Sequence, residues 1–414
     1  MQKTPKGLRL HIGIFGRRNV GKSSLLNALT RQVVSIVSDV AGTTTDPVEK
    51  PMELLPVGPV LFIDTAGVDD FGVLGEVRTS RTRKIFDRTD LAIIVATGQD
   101  WGKFENELLI EFKDRNVPAI VVFNKTDKHK PDSLLIKKLT NSGLIVVKTV
   151  ANKSEGIYDL REAIIKATPP EIINAPSIIG DLIQPGELII LVVPIDKEAP
   201  KGRLILPQVQ TIRDILDNDA YCIVVKESEL YDALHRLNSK PALVVTDSQA
   251  FLKVAADTPK EVLMTSFSIL FARYKGNLQE FVRGALVIDK LKPGDKVLIA
   301  ESCSHHPIED DIGTVKIPRW LTQYVGGKLN FSHVQGHDFP DDLADYKLII
   351  HCGSCMFNRR EVLSRIMHAK RAGVPITNYG MTIAYSLGIF ERALSPFPAE
   401  LRMYHEFKKQ GLPE

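Results

Sequence analysis

Short apolar runs alternate along the chain with segments in which apolar residues recur every three or four positions. The first pattern is typical of strands buried in a parallel sheet, and the second of helices that cover such a sheet. In the first part of the chain the strand patterns lie at 11–15, 61–64, 119–123 and 144–147, and the helix patterns at 24–29 and 157–168. Pro169 and Pro170 end the last helix pattern. We therefore predict an α/β domain over residues 1–170.

The alternation continues over residues 176–262, which we predict to form a small parallel sheet covered by helices. Strand patterns lie at 188–193, 222–225 and 242–245, and helix patterns at 208–216, 229–237 and 249–256. Cys222 stands inside an apolar run and is interpreted as a core residue. A short sheet between two larger domains has edges to cover, so we predict that this domain forms a homodimer.

Residues 263–414 are predicted to form a third α/β domain, of the doubly wound type. Strand patterns lie at 296–300, 329–332, 347–350 and 375–378, and helix patterns at 277–290, 312–324 and 359–372. In such sheets ligands bind beyond the carboxyl ends of the strands, at the point where the strand order switches direction. Candidate ligand-binding residues should therefore follow the strands of this domain.

Composition adds few constraints to this picture. The chain has 414 residues with a net charge of +3, which is too weak and too evenly spread to indicate nucleic-acid binding. The longest apolar run, at 188–195, is far shorter than the ~20 residues of a membrane span, so no membrane association is expected. The first residues lack the apolar stretch of a signal peptide. We expect a cytoplasmic protein, in which paired cysteines are more often metal ligands or redox groups than disulfides.

A G-x-x-x-x-G-K-S motif at 16–23 is preceded by a strand pattern and followed by a helix pattern. Gly16 and Gly21 allow backbone amides to turn toward phosphate groups. Lys22 is predicted to reach the terminal phosphates, and Ser23 to supply a hydroxyl group to Mg²⁺. The loop residues also predicted to contact the nucleotide are Asn19, Val20 and Ser24.

The sequence Asn-Lys-Thr-Asp at 124–127 identifies the base as guanine. The Asp127 carboxylate can accept hydrogen bonds from the guanine N1 and N2 groups, which adenine cannot donate. Asn124 and Lys125 complete this motif, and Ala151 is the one comfortable match to the last guanine-contacting motif. The predicted nucleotide is therefore GTP or GDP.

Two further positions complete the predicted Mg²⁺-nucleotide site. Asp64, at the end of a strand pattern, is expected to hold Mg²⁺ through water, and the Gly67 amide to meet the γ-phosphate. Thr44 lies in a Gly-Thr-Thr-Thr-Asp segment and is expected to complete the Mg²⁺ shell when the γ-phosphate is present. Lys22, Thr44 and Gly67 are the candidate catalytic residues from these motifs.

A second candidate site lies in the last third of the chain, where Cys303, Cys352 and Cys355 all follow strand patterns. The histidines beside them are His305 and His351. A closed zinc site would use the three cysteines and one histidine from His305, His306 or His351. An iron–sulfur cluster would use the three cysteines and leave one iron for a weaker or exchangeable ligand, and a redox pair would use only the Cys-x-x-Cys. Spacing does not decide between zinc and iron.

The G-domain motifs resemble those of the TrmE, Era and EngA type of GTPase, with a Gly-Arg-x-Asn-Val-Gly-Lys-Ser loop and a Gly-Thr-Thr switch. Val68 stands where Ras-like proteins carry the water-orienting Gln. The resemblance implies that Asn19 helps hold a K⁺ ion against the phosphates, so that hydrolysis is stimulated by potassium. It also implies, counting without gaps, that Glu76 is the acid that orients the attacking water.

Over its whole length the chain resembles the HydF family of FeFe-hydrogenase maturation GTPases. The resemblance rests on Cys303-x-His305 and His351-Cys352-x-x-Cys355 behind a TrmE-like G domain. It implies a GTP-binding domain over 1–170, a dimerisation domain over 176–262 and an iron–sulfur cluster domain over 263–414.

The same resemblance implies a 4Fe–4S cluster on the three cysteines with a non-cysteine fourth position, for which His305 and His351 are candidates. Glu309 and Asp310 lie close enough in sequence to compete for that position. The protein would act as a scaffold and carrier that receives a two-iron subcluster precursor and transfers it to apo-FeFe-hydrogenase. Two radical-SAM maturases, HydE and HydG, would be its other partners. The alternative is a GTPase of ribosome assembly or tRNA modification with a structural zinc site.

Overall fold

The computed structural model of the protein describes residues 4–30, 48–65, 80–170, 176–195, 204–302 and 311–410. The chain divides into two compact units, Met1–Ala175 and Pro176–Glu414. Both are built from helices packed on mainly parallel sheets, which confirms the α/β class predicted from the alternating pattern.

The first unit contains a six-stranded sheet with the order β2-β3-β1-β4-β5-β6, in which only the pair β2 and β3 is antiparallel. Its strands are β1 Leu10–Phe15, β2 Val48–Leu54, β3 Gly58–Asp64, β4 Leu91–Ala96, β5 Ala119–Phe123 and β6 Ile145–Lys148. Its described helices are α1 Lys22–Thr30, α2 Ser80–Arg88, α3 Lys103–Asp114, α4 Ser133–Asn141 and α5 Ile157–Ala167. Every residue of β1 and β4 is buried, because helices cover both faces of the sheet.

The second unit contains two four-stranded parallel sheets. The middle sheet has the order β10-β9-β7-β8, with β7 Leu188–Val192, β8 Tyr221–Val225, β9 Leu243–Thr246 and β10 Leu263–Ser266. The last sheet has the order β12-β11-β13-β14, with β11 Lys296–Glu301, β12 Asn330–Gln335, β13 Leu348–His351 and β14 Ile376–Asn378. These strands lie within a few residues of the predicted runs, except β10, which the sequence analysis did not predict.

Ten described helices cover these two sheets. They are α6 Leu206–Asp217, α7 Leu230–Arg236, α8 Phe251–Asp257, α9 Phe267–Lys275, α10 Leu278–Leu286, α11 Ile317–Val325, α12 Arg359–Arg371, α13 Tyr379–Ser386, α14 Phe390–Ala393 and α15 Pro398–Gln410. One hydrophobic core continues from the middle sheet through α9 to the last sheet. The predicted domain boundary between residues 262 and 263 falls inside this unit and stays a prediction.

Among the helices that the structure describes, none is both long enough and apolar enough to cross a membrane.

Candidate functional site

The phosphate loop connects β1 to α1 at the switch point of the first sheet, where β3 lies on one side of β1 and β4 on the other. Two of its glycines have backbone conformations that disfavour a side chain, with φ of +147° at Gly16 and +95° at Gly21. A Cβ atom at Gly16 would lie 2.1 Å from the carbonyl oxygen of Val95. A Cβ atom at Gly21 would lie 2.3 Å from Nδ2 of Asn124. Both positions therefore require glycine.

Lys22 is the first residue of α1, and its side chain turns back over the loop. Its Nζ atom donates hydrogen bonds to the carbonyl oxygens of Gly16, at 2.6 Å, and Arg17, at 3.0 Å. The loop and the amino-terminal turn of α1 offer backbone amides to an anion, and the lysine adds a positive charge beside them. This arrangement suits a nucleotide phosphate chain.

Ser23 and Asp64, the two residues predicted to serve Mg²⁺, meet in the structure. The Ser23 hydroxyl donates to Oδ2 of Asp64 at 2.8 Å. Asp64 ends β3 and is fully buried, and its position is fixed by parallel pairing with Ile14 of β1. The two oxygen groups form one cluster beside the phosphate loop, while their predicted roles in Mg²⁺ binding stay predictions.

Asn124, which follows β5, connects the phosphate loop to the segment after β6. Its Nδ2 atom donates to the Val20 carbonyl oxygen at 2.9 Å. Its Oδ1 atom accepts from the Thr149 hydroxyl and from the Ala151 amide, both at 3.1 Å. Asn124 is 1% exposed, so these bonds are shielded from water. The structure thus uses the backbone of Ala151 to hold Asn124, and the predicted contact of Ala151 with the nucleotide stays a prediction.

The other guanine-motif residues, Lys125 and Asp127, also make side-chain contacts. Lys125 donates from Nζ to the carbonyl oxygen of Asn19 at 2.6 Å. Oδ2 of Asp127 lies 3.3 Å from Nζ of Lys153. Sequence reasoning missed Lys153, because the segment Ala-Asn-Lys inserts one residue into the expected Ser-Ala-Lys spacing.

Five of the predicted site residues lie outside the described residues, namely Thr44, Gly67, Glu76, Cys303 and His305. Their predicted roles stay predictions.

The cysteine-bearing segments follow two adjacent strands at the switch point of the last sheet. There β11 has β12 on one side and β13 on the other. Ala300 of β11 pairs with His351 of β13, and the Cys352 amide donates to the Ala300 carbonyl oxygen at 2.9 Å. The two segments therefore leave adjacent strands of the sheet, while the predicted convergence of the three cysteines stays a prediction.

Cys352 lies against the residue that precedes Cys303. Its Sγ atom accepts a hydrogen bond from the Ser302 amide at 3.1 Å and another from the Ser354 amide at 3.4 Å. The thiol in turn donates to the Ser302 hydroxyl at 3.2 Å, so Ser302 and Ser354 hold this sulfur atom in place. Ser354 has a φ of +57°, so the loop turns sharply between the two cysteines. Cys355 is half-buried, and burial raises the pKa of its thiol, with Cys352 adding to the effect.

Lys275 is a residue of this site that sequence reasoning missed. Its Nζ atom donates to the carbonyl oxygens of Ser354 at 2.9 Å, Cys355 at 3.2 Å and Phe357 at 2.6 Å. Burial lowers the pKa of Lys275 to about 8, against the opposite effect of Cys355, Cys352 and Glu361. A lone lysine at the end of an apolar helix, 79 positions before its first partner, gives no sequence signal.

His351 is buried below the loop, with both ring nitrogens engaged. Nδ1 lies 2.9 Å from the Ser354 hydroxyl and 3.1 Å from the Cys352 carbonyl oxygen. Nε2 lies 3.0 Å from a guanidinium nitrogen of Arg365, which can only donate. Burial, together with Arg365, lowers the pKa of His351 to about 3, so the ring is neutral and carries its proton on Nδ1. This environment favours a structural role, and the prediction that His351 is a ligand remains untested.

A buried carboxylate lies at the end of β11, two residues before Cys303. Glu301 accepts a hydrogen bond at Oε1 from the Tyr379 hydroxyl at 2.8 Å and at Oε2 from Nε2 of Gln335 at 3.2 Å. Burial and Glu301 together raise the pKa of Tyr379 well above its ordinary value, so Tyr379 stays a donor. These bonds hold the end of β11 in place.

Within the described residues, no three His, Cys, Asp or Glu side chains converge on a common point as a metal site would require. Cys303 and His305 are not among those residues. The described residues therefore include two cysteines of the proposed site, Cys352 and Cys355. They also include Ser302, the residue directly before the third.

The fold and the phosphate-loop geometry define the first unit as a P-loop GTPase domain. A model described as a 50S ribosome-binding GTPase matches residues 11–125. Two further models match the second unit, the hydrogen maturase F dimerization domain at 178–276 and the hydrogen maturase F tetramerization domain at 279–396. The chain belongs to the hydrogen maturase F family, the hydrogenase maturase GTPases.

Two curated relatives match part of the chain. The tRNA modification GTPase MnmE of Bacillus subtilis (strain 168) is 38% identical over 153 residues, which are 36% of this chain and 33% of that protein. MnmE of Heliobacterium modesticaldum is 34% identical over 155 residues, 36% of this chain and 32% of that protein. This chain thus spans about a third of the length of these relatives.

Among solved structures, an Aquifex aeolicus Era variant bound to GDP·AlF4⁻ is 21% identical with a TM-score of 0.34, over 59% of this chain and 97% of that one.

Proposed function

We propose that this GTPase carries an iron–sulfur cluster on Cys303, Cys352 and Cys355 and acts as a scaffold in FeFe-hydrogenase maturation. On this proposal it receives a two-iron subcluster precursor, with the radical-SAM maturases HydE and HydG as upstream partners, and transfers it to apo-hydrogenase in the cytoplasm. The observation that supports it most is the 3.1 Å contact between the Ser302 amide and Sγ of Cys352. Ser302 is the residue directly before Cys303, so the segment that carries the third cysteine leaves β11 beside the Cys-x-x-Cys loop.

The donor set fits a cluster of this kind. Cysteine thiolates are the usual ligands of iron–sulfur clusters, and the backbone amides of Ser302 and Ser354 are directed at Sγ of Cys352. A 4Fe–4S cluster held by three cysteines would supply one iron with an exchangeable ligand, where a precursor could dock and leave. In this account His351 supports the loop through Ser354 and Arg365, and the exchangeable position belongs to another group.

The proposal also assigns nucleotide-binding and hydrolytic roles to residues of the GTPase domain. Lys22 would bind the terminal phosphates of GTP, and Ser23 and Asp64 would hold Mg²⁺. Asn19 would contribute to a K⁺ site, so that potassium stimulates hydrolysis. The remaining hydrolytic roles are proposed for Thr44, Gly67 and Glu76.

The matched dimerization and tetramerization domains indicate an oligomer. We infer a homodimer formed through β8, which is one of the two edge strands of the middle sheet. Tyr221 is 64% exposed and Val224 43% exposed on this strand, so it presents both apolar side chains and unpaired backbone groups. Light scattering of a Tyr221→Asp variant should give a smaller particle than the wild type. An unchanged mass would remove β8 from the interface.

The function is tested by activation of apo-FeFe-hydrogenase with protein co-produced with the two radical-SAM maturases. Wild-type protein and the Cys222→Ser variant should activate the hydrogenase, since Cys222 lies on β8, away from the proposed cluster site. Cys352→Ser should give less than about a tenth of that activity, because the precursor would have no stable cluster to dock on. Equal activation by Cys352→Ser would refute the scaffold role.

The similarity to MnmE leaves a tRNA-modification GTPase with a structural zinc site as the second candidate. Metal analysis separates the two. A colourless wild-type protein with one zinc per chain after anaerobic purification would favour that candidate.

A further inference from the structure

We propose that Lys275 is a positioning residue that holds the Cys352–Cys355 loop in its ligating shape and, through its positive charge, raises the reduction potential of the cluster. The inference rests on the proposed iron–sulfur function and assigns a role to a residue outside the cysteine motif.

The ammonium group of Lys275 makes three hydrogen bonds to the backbone of the loop. An ammonium has three N–H donors, and Lys275 directs them to the carbonyl oxygens of Ser354, Cys355 and Phe357. These three carbonyls lie on the stretch that begins between the two cysteines and ends just after the second. The bonds therefore fix the backbone that carries Cys355 relative to α9, an element distant in sequence.

The position of Lys275 is costly unless its charge is compensated. The residue is 1% exposed, and burying a cation without partners is strongly unfavourable. Part of the compensation comes from its place as the last residue of α9, where the helix dipole favours a positive charge. The Phe271 ring, one turn earlier, adds a cation–π contact with its centroid 5.9 Å from Nζ. The fold thus brings a positive charge to this loop and stabilises it there.

The charge is of the sign that a thiolate-bound cluster needs. As thiolate ligands, Cys352 and Cys355 would bring negative charge to partly buried positions, and reduction of the cluster would add one more electron. A fixed cation close by in a low-dielectric region stabilises the reduced form more than the oxidised form. Removing it should therefore make the reduction potential more negative.

The test compares full-length proteins reconstituted anaerobically with Fe²⁺ and sulfide. Lys275→Met removes the charge and the hydrogen bonds at similar length, Lys275→Gln removes the charge but keeps an N–H donor group, and Lys275→Arg keeps the charge. Lys370→Met is the matched control, because Lys370 is exposed and pairs with Glu280 away from the loop. The measured quantities are iron per chain, the midpoint potential from EPR-monitored titration, and the melting temperature before reconstitution.

We expect the neutral variants to change the oxidised-to-reduced ratio at a given potential about tenfold, a shift of about 59 mV to more negative values for a one-electron couple. Lys275→Arg and Lys370→Met should keep the wild-type potential. A Lys275→Met or Lys275→Gln protein that loads fully at the wild-type potential would overturn the inference. If a variant binds less iron and keeps the wild-type melting temperature, the positioning role is supported. If its melting temperature falls together with its iron content, Lys275 has only a structural role and the inference is overturned. A wild-type protein that takes up no cluster would instead overturn the proposed function.

Discussion

The backbone amide of Ser302 donates a hydrogen bond to Sγ of Cys352 across 3.1 Å. This contact joins the ends of β11 and β13, which are neighbours at the switch point of the last sheet. Cys303 follows Ser302 directly. The fold therefore places the residue before the third cysteine next to the Cys-x-x-Cys loop, although the two are about fifty positions apart in the sequence. The parallel pairing of two buried strands is therefore what can assemble a three-cysteine site.

Potassium should accelerate GTP hydrolysis relative to sodium, and Asn19→Ala should remove most of that difference. Asn19 has a left-handed φ of +63°, its carbonyl oxygen accepts a hydrogen bond from Lys125 at 2.6 Å, and it is exposed within the phosphate loop. Charge neutralisation near the transferred phosphoryl group is worth several powers of ten in GTPases, so a stimulation on the order of tenfold or more is expected. Initial rates in KCl and NaCl, at matched ionic strength and saturating GTP, measure it. Equal rates in both salts would exclude the ion site.

Asn124→Ala should destabilise the GTPase domain by on the order of 3 kcal/mol, because it leaves buried partners of three hydrogen bonds unsatisfied. Those partners are the Val20 carbonyl, the Thr149 hydroxyl and the Ala151 amide. Thermal unfolding gives the readout, in the transition that GDP shifts to higher temperature. Asn141→Ala, an exposed change at the end of α4, should stay within about 0.5 kcal/mol of wild type. A loss of similar size in both variants would contradict the proposed central role of Asn124.

The GTPase domain should lose stability on acidification through His11. Burial, and to a lesser extent Arg88, lowers the pKa of His11 to about 4 from 6.5, while a hydrogen bond to the Lys6 carbonyl opposes the shift. The unfolded chain therefore takes up the proton first, so the contribution is intact above pH 6.5 and is lost as the pH falls toward 4. The expected loss is about 2 kcal/mol between pH 8 and pH 5.

The check is the stability difference between pH 8 and pH 5 in His11→Gln, which should be smaller than in wild type by that amount. His405→Gln changes an exposed histidine and should keep the full difference. An identical pH dependence in His11→Gln and wild type would show that other groups control acid stability.

Most strands buried on both faces were predicted from the sequence, although β4, whose residues are all buried, was not. Predicted strands at 296–300 and 347–350 correspond to Lys296–Glu301 and Leu348–His351, because a continuous apolar run has few other places to lie. The edge strand Val48–Leu54 was not predicted, since its half-exposed sequence contains Glu49, Lys50 and Pro51. Proline is tolerated there because β2 pairs on one side only.

The helix Phe267–Lys275 was not predicted because it is mostly buried, whereas β2 was not predicted because it is half-exposed. The helix lies within the hydrophobic core that continues between two sheets, so its apolar residues show no amphipathic period. The partners of Lys275 and His351 were equally hidden, because they are set by tertiary contacts rather than by spacing. Motif residues could be predicted because each motif is a short contiguous segment. The charged side chains around them could not, because the fold brings them in from distant parts of the chain.

The most direct test of the central claim is EPR of the dithionite-reduced protein after anaerobic reconstitution with iron and sulfide. The account predicts a 4Fe–4S signal in wild type and Cys222→Ser, and no such signal in Cys352→Ser, whose GTP hydrolysis should stay within about twofold of wild type because the GTPase motifs lie in a different unit. An unaltered cluster signal in Cys352→Ser would contradict the assignment of this cysteine and the three-cysteine site built on it.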